Sequence, residues 1–130
     1  MPTESFKVVT ELPIAKVAAL LCCAFEGGSN YWYEIVDFGR PTSFDFRISP
    51  ERIYKHIDYP LNEGGWLEIG DLENPAAHPK ILGLAEIERG LQVMADKFSL
   101  HYADALNEVG DAVTGDVFLQ CCIFGDVIYG

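Results

Sequence analysis

Apolar residues recur along this chain with two different periods. Ile14, Val17, Ala18, Leu21 and Phe25 are spaced by threes and fours, the period of one helical face. Leu20, Cys23 and Ala24 fill most of the remaining circumference, so this first helix is expected to be almost wholly buried. Thr10 is a candidate cap for its start, Pro13 is tolerated in its first turn, and Gly27 and Gly28 stop it. Leu84, Ile87, Leu91, Met94 and Phe98 trace a narrower stripe, with Glu86, Glu88, Arg89, Gln92 and Asp96 on the wet side. Residues 100–106 continue that helical pattern. Asp111 can cap a last helix from Ala112 to Phe124, which Gly125 ends. Its run of Val117, Phe118, Leu119, Cys121, Cys122, Ile123 and Phe124 places it at the centre of the molecule.

A period of two marks the strands. Phe44, Phe46 and Ile48 alternate with Asp45 and Arg47. Residues 6–10 have Val8 and Val9 as a β-branched centre, and residues 29–36 are rich in aromatic and β-branched types, which suggests a strand, with a helical turn as the alternative. Trp66, Leu67 and Ile69 form another strand, closed by Gly70 and Asp71, and residues 80–83 a short one. Residues 49–57 read as a short helix. Gly39–Ser43, Tyr59–Gly65 and Asp71–Pro79 carry turn and loop chemistry. The order is strand, helix, several strands, then helices. That is a segregated α+β domain, with an antiparallel sheet packed against two or three helices. The 130 residues fit one domain, with no repeat or linker to divide them. Two nearly all-apolar helices in so small a domain must be sheathed by the sheet or by a second copy of the chain, so a homo-oligomer is expected.

Charge narrows the choice of partner. The formal net charge is −11, from 20 acidic and 9 basic residues. Direct nucleic-acid binding is not expected, because it needs a basic face to release counterions from phosphate. An anionic membrane surface is disfavoured for the same reason. A basic host protein, or mimicry of DNA, remains compatible. The four cysteines form two adjacent pairs, Cys22–Cys23 and Cys121–Cys122, each in an apolar run. They read as buried free thiols, with a bridge between the pairs open if their helices touch. Residues 1–7 lack the basic start and apolar core of a secretory signal, and the apolar run 17–25 is too short to span a bilayer. The chain therefore reads as cytoplasmic.

The most distinctive stretch is Gly27-Gly28-Ser29-Asn30-Tyr31-Trp32-Tyr33. Two glycines allow a sharp turn or a close approach to a ligand. On a strand, three consecutive aromatics cannot all face inward, so Trp32 or the Tyr31–Tyr33 pair would point away from the core. Exposed aromatics anchor interfaces or stack on bases. Glu26, Ser29, Asn30, Tyr31, Trp32 and Tyr33 are thus candidate ligand or partner contacts, against the plainer reading of a helix cap followed by a half-buried strand. The stretch lacks the Gly-Lys-Ser/Thr ending of a phosphate-binding loop. His101 and Asp104, three apart on a helix, are a second candidate set as a base with its carboxylate, against a plain surface pair. Glu26, Asp37, Asp58, Glu63 and Asp71 fall near element ends, where acids that converge can hold a divalent cation. Zinc spacing is absent, and no cofactor or metal is assigned. Asp116 stands inside the apolar last helix, and the plain reading puts it in the first turn, favouring the helix dipole.

Residues 25–33 (FEGGSNYWY), 115–120 (GDVFLQ) and the ending 124–130 (FGDVIYG) resemble segments of small uncharacterised proteins encoded by bacteriophages, prophages and plasmids. The resemblance is weaker from 39 to 79. It implies a phage or mobile-element product in a bacterial cytoplasm, where small acidic proteins often inhibit host defence, and it carries over no catalytic residue. The expected function is a non-enzymatic binding protein, a host-defence inhibitor that occupies a host protein or sequesters a nucleotide-like small ligand. The alternatives are a small hydrolase-type enzyme using His101 with acids such as Glu26 or Asp104, and a minor structural or packaging component of a phage.

Overall fold

In a computed structural model, residues 11–39, 61 and 65–130 are described. The strands expected at 6–10 and 44–48, the helix at 49–57 and the cap at Thr10 lie outside them. The fold is α+β, with a three-stranded antiparallel sheet and four α-helices among the described residues.

Helix α1 spans Ile14–Cys23 and starts directly after Pro13. It does not stop cleanly at its last turn. Residues Ala24–Gly28 continue it as one wider turn, closed by the Ser29 amide donating to the Ala24 carbonyl at 2.9 Å. The expected near-total burial is corrected here. Val17, Leu20 and Leu21 are buried, whereas Ile14 is 69% exposed. The apolar circumference is wider than the face its neighbours cover.

The first strand, β1, is Tyr33–Gly39, followed by β2 (Trp66–Asp71) and β3 (Lys80–Leu82), in the spatial order β1-β2-β3. Residues 29–32, expected as the beginning of a strand, form a tight turn instead. The Trp32 and Tyr33 amides both donate to the Ser29 carbonyl, at 3.0 and 3.2 Å. A bulge between Ile35 and Asp37 keeps Phe38 on the inner face with Tyr33 and Ile35. Leu67 pairs with Leu82, and both are fully buried.

Helix α2 is Leu84–Lys97, α3 is Ser99–Leu106 and α4 is Ala112–Phe124. The chain breaks at Phe98, whose φ of −129° and ψ of 52° separate α2 from α3. As expected, Asp111 caps α4: its Oδ1 accepts the Thr114 amide at 3.1 Å, and Gly125 closes the helix in the left-handed region at φ 71°. Every residue of α4 from Thr114 to Ile123 is buried. Helices α1, α2 and α3 and strand β3 all pack on it.

Two glycines make that packing close. A Cβ on Gly90 of α2 would lie 2.4 Å from the Cys122 Sγ, and one on Gly115 of α4 would lie 2.5 Å from the Ala24 amide nitrogen. All four cysteines are free. Cys23 sits against Gly115 and Cys122 against Gly90. Seven residues of helix separate those two levels, about 10 Å along the axis, so the two pairs do not meet.

Candidate functional site

Asp116 is the fifth residue of α4, past the first turn, and is 8% exposed. Its surroundings replace the helix-dipole reading. One oxygen, Oδ1, accepts from the Ser29 hydroxyl and from the Trp32 indole N–H, each at 2.7 Å. The other, Oδ2, accepts from the Tyr31 hydroxyl at 2.6 Å and the Gln120 amide at 3.1 Å. A carboxylate is the side chain that can accept this many bonds, and each donor offsets part of the cost of burying it.

Local structure explains why these donors converge. The wide turn at the end of α1 brings Gly28 against the start of α4, where an added Cβ would lie 2.1 Å from the Ala112 carbonyl oxygen. Gly28 therefore serves contact between elements and not approach to a ligand. The tight turn at 29–32 then throws Ser29, Tyr31 and Trp32 onto the same side of α4.

Gln120 lies one turn beyond Asp116 on the same face of the helix. Its Oε1 accepts the Ile128 and Tyr129 amides at 2.8 and 2.9 Å, and its Nε2 donates to the Tyr129 carbonyl at 3.2 Å and the Tyr31 hydroxyl at 3.3 Å. One side chain thereby holds the segment after α4, which belongs to no helix or strand. The Tyr129 hydroxyl completes the chain by donating to Asp71 Oδ2 at 2.6 Å. Partial burial and the Asp116 carboxylate push the Tyr31 phenol up to about 12. The bond to Asp71 does the same for Tyr129, also to about 12.

The expected site residues divide accordingly. Ser29, Tyr31 and Trp32 come together on Asp116. Of the two alternatives for the aromatic run, Trp32 is the inward one: it is completely buried, and its ring packs on Tyr33, Phe124 and Tyr129. Tyr31 is 45% exposed while its hydroxyl points inward. Tyr33 is half-buried, begins β1 and donates to the Phe25 carbonyl at 2.8 Å. Asn30 is exposed at the tip of the turn. Glu26 is also exposed; its carboxylate accepts from the Cys22 thiol at 3.0 Å, and that bond first, with partial burial, pushes the thiol up to about 11. His101 Nδ1 lies 3.4 Å from the Thr114 hydroxyl, and the His101–Asp104 pair does not form. Glu26, His101 and Asp104 thus have separate surroundings. Among the described residues no three His, Cys, Asp or Glu side chains stand close enough to hold a metal ion.

Beside the Asp116 network lies a hollow of about 300 Å³. Its floor is Trp32 with Ile69, and its walls are Ile123 and Phe124 from the end of α4 and Ile128 and Tyr129 from the segment beyond. Asp71, Asn74, Ala77, His78 and Lys80 form the rim. Lys80 pairs with Ile69 and Asp71 with Tyr33 across the ladders, so both charged residues stand on the inner face of the sheet, at its open end.

Sequence reasoning missed Gln120, Tyr129, His78 and Lys80 as members of this region. A signal was present for one pair: Asp116 and Gln120 are the polar side chains four apart in an otherwise apolar stretch of helix. Two polar groups buried on one helical face need partners inside the protein.

Comparison with known proteins returns no match: no protein-family model, no curated protein and no solved structure matches the chain. Among the described residues no helix is long and apolar enough to cross a membrane.

Proposed function

We propose that this chain is a non-enzymatic binding protein that holds a small organic ligand in the hollow over Trp32, as a phage or mobile-element product acting in the bacterial cytoplasm against host defence. The observation that carries the reading is the hollow itself. It is concave, walled by apolar and aromatic side chains, and rimmed by a few polar groups, which is the usual make-up of a small-molecule site. Its walls are held in advance of any ligand. Gln120 fixes the segment bearing Ile128 and Tyr129, and Asp116 fixes Trp32 beneath. A site held in place loses less free energy on ordering when it binds.

The setting rests on the resemblance. Its three segments, 25–33, 115–120 and 124–130, supply Ser29, Tyr31 and Trp32, then Asp116 and Gln120, then Tyr129, so the resemblance points to a shared scaffold around the hollow. An enzyme built on His101 finds less support, because Glu26 and Asp104 do not accompany it.

The test is native mass spectrometry of the protein purified from bacterial cells, with a melting-temperature screen of small metabolites on the same sample. A ligand that stays bound, or one that raises the melting temperature, is the expected result. A clean mass together with no melting shift across the screen sinks the small-ligand reading and turns attention to a host-protein partner. The same spectrum gives the subunit count and so tests the homo-oligomer.

A further inference from the structure

We infer that the ligand is of the nucleotide class: a flat heteroaromatic ring carrying a phosphate-like anion, with the ring in the hollow over Trp32 and the anion between Lys80 and Arg89. This rests on the binding reading above and adds the chemistry of the occupant.

The first argument is electrostatic. A chain of formal charge −11 repels small anions unless cations are set aside for them. The described residues hold four cationic side chains: Lys16, Lys80, Arg89 and Lys97. Lys16 donates to the Leu106 carbonyl, and Lys97 lies 3.8 Å from Asp126. Lys80 and Arg89 have no carboxylate partner among the described residues, and these two line one hollow of about 510 Å³ together. That hollow adjoins the first, for Lys80, Ile123 and Phe124 line both.

The second argument is the disposition of donors. Arg89 Nη2 donates to the Cys122 carbonyl at 2.8 Å, which fixes the guanidinium and leaves other N–H groups for an anion. Arginine held in this way suits a phosphate, whose oxygens accept two parallel bonds. Glu86 also lines this hollow; the Gly83 amide, donating to its Oε1 at 2.9 Å, ties its carboxylate to the start of α2.

The third argument is the other lobe. The half-buried rings of Phe124 and Tyr129 meet edge to face at 5.8 Å and offer a flat ligand an aromatic wall. Asp71 and Asn74 on the rim can meet the hydrogen-bonding edge of a base, Asp71 as an acceptor and Asn74 as both donor and acceptor. An apolar anion would leave that rim unused, and an inorganic anion would leave the aromatic lobe empty. A polyanionic nucleic acid would meet the net charge of the whole chain, whereas one nucleotide meets the local balance of Lys80 and Arg89 against Glu86 and Asp71.

Isothermal titration calorimetry of the full chain tests this with the four common nucleoside monophosphates, their nucleosides and inorganic phosphate. At least one monophosphate is expected to bind at least about tenfold more tightly than its nucleoside and than phosphate. Lys80 is an exposed strand-end residue, so Lys80→Ala should keep the melting temperature of the unliganded protein. It should weaken the monophosphate by about tenfold and leave the nucleoside unchanged. Equal binding of monophosphate and nucleoside, or an unchanged affinity in Lys80→Ala, overturns the inference. If native mass spectrometry shows a retained molecule lacking either the ring or the anion, the nucleotide class falls while the binding reading stands. If nothing is retained and nothing shifts the melting temperature, both fall.

Discussion

Along one stripe of α4, Asp116 and Gln120 meet the turn at residues 29–32 and the segment 126–130. Along another, Gly115 and Cys122, seven apart and so nearly in line, meet α1 and α2. The first stripe is joined by a network of buried side-chain hydrogen bonds, the second chiefly by close approach, with the Arg89 guanidinium donating to the Cys122 carbonyl at its edge. The pieces being held explain the difference. Helices α1 and α2 already satisfy their own backbone groups, so they need only room to approach. The turn and the segment after α4 lack regular backbone pairing, and side chains must supply what a ladder would. Polar groups inside this core therefore define where the irregular chain goes, and small residues define how near the regular chain comes.

The largest expected effect breaks the polar stripe. Asp116→Ala leaves the Ser29 hydroxyl and the Trp32 indole as buried donors without their acceptor, while the Gln120 amide keeps the Tyr129 carbonyl. Each such group costs about 1–3 kcal/mol, so the loss should be at least about 2 kcal/mol. Urea unfolding measures it, and a cost below about 1 kcal/mol would show that the stripe contributes packing alone. Should that variant fail to fold, Trp32→Phe and Asp116→Asn, singly and combined, give a milder cycle. Groups in one network should couple by about 0.5–3 kcal/mol, and strict additivity would deny the network.

The smooth stripe should respond less. Alanine is a better helix former than glycine by about 1 kcal/mol, so Gly115→Ala and Gly90→Ala would stabilise exposed helices. Here each new methyl meets backbone: the Ala24 nitrogen at 2.5 Å for Gly115 and the Cys122 Cα at 2.7 Å for Gly90. Overpacking should win, with a net loss of about 1–3 kcal/mol by the same unfolding measurement. A gain in stability from either variant would mean that the helices separate freely, and the contrast between the stripes would dissolve.

Much of the scaffold was legible because local signals agreed with their surroundings. The alternation around Leu67, the Ile87–Met94 stripe and the Asp111 cap with Gly125 all act within a few residues, and the structure has them in place. At 29–32 the aromatic content suggests a strand with a helical turn as the alternative, and the turn wins; its hydrogen bonds to Ser29 and its side-chain bonds to a residue more than eighty positions away are invisible to periodicity. The same distance hid the site. Alternation alone leaves open whether Trp32 or its tyrosine neighbours face outward, since nothing local says that Asp116 will accept the indole N–H. Lys80 starts a short strand and Arg89 lies on the wet side of a helix, and only the fold brings them to one hollow.

The smallest effect at neutral pH, and the most selective between the stripes, is alkaline destabilisation. Tyr31 and Tyr129 belong to the polar network, and their phenols rise from 10.0 to about 12. Cys121 rises from 9.0 to about 11 through burial, then through the charge of Asp126; Cys22 rises to the same level through its bond to Glu26. In each case the unfolded chain gives up its proton first. Between the two values the folded state binds more protons than the unfolded one, so stability falls as pH rises. The contribution is whole below the ordinary thiol value of 9.0, declines from there as the thiols and then the phenols ionise in the unfolded chain, and is gone above about 12. The urea midpoint should therefore stay level from neutral pH to about 8.5 and drop steadily beyond it. A midpoint level up to pH ~11 would contradict the raised thiols and phenols together. Tyr31→Phe with Tyr129→Phe separates the two stripes. It removes the phenol part of the decline above pH ~10 while the thiol part, starting near 9, persists. An unchanged slope above pH ~10 in that double variant would place the alkaline sensitivity on the cysteine side of the core and leave the phenols of the polar stripe without a share in it.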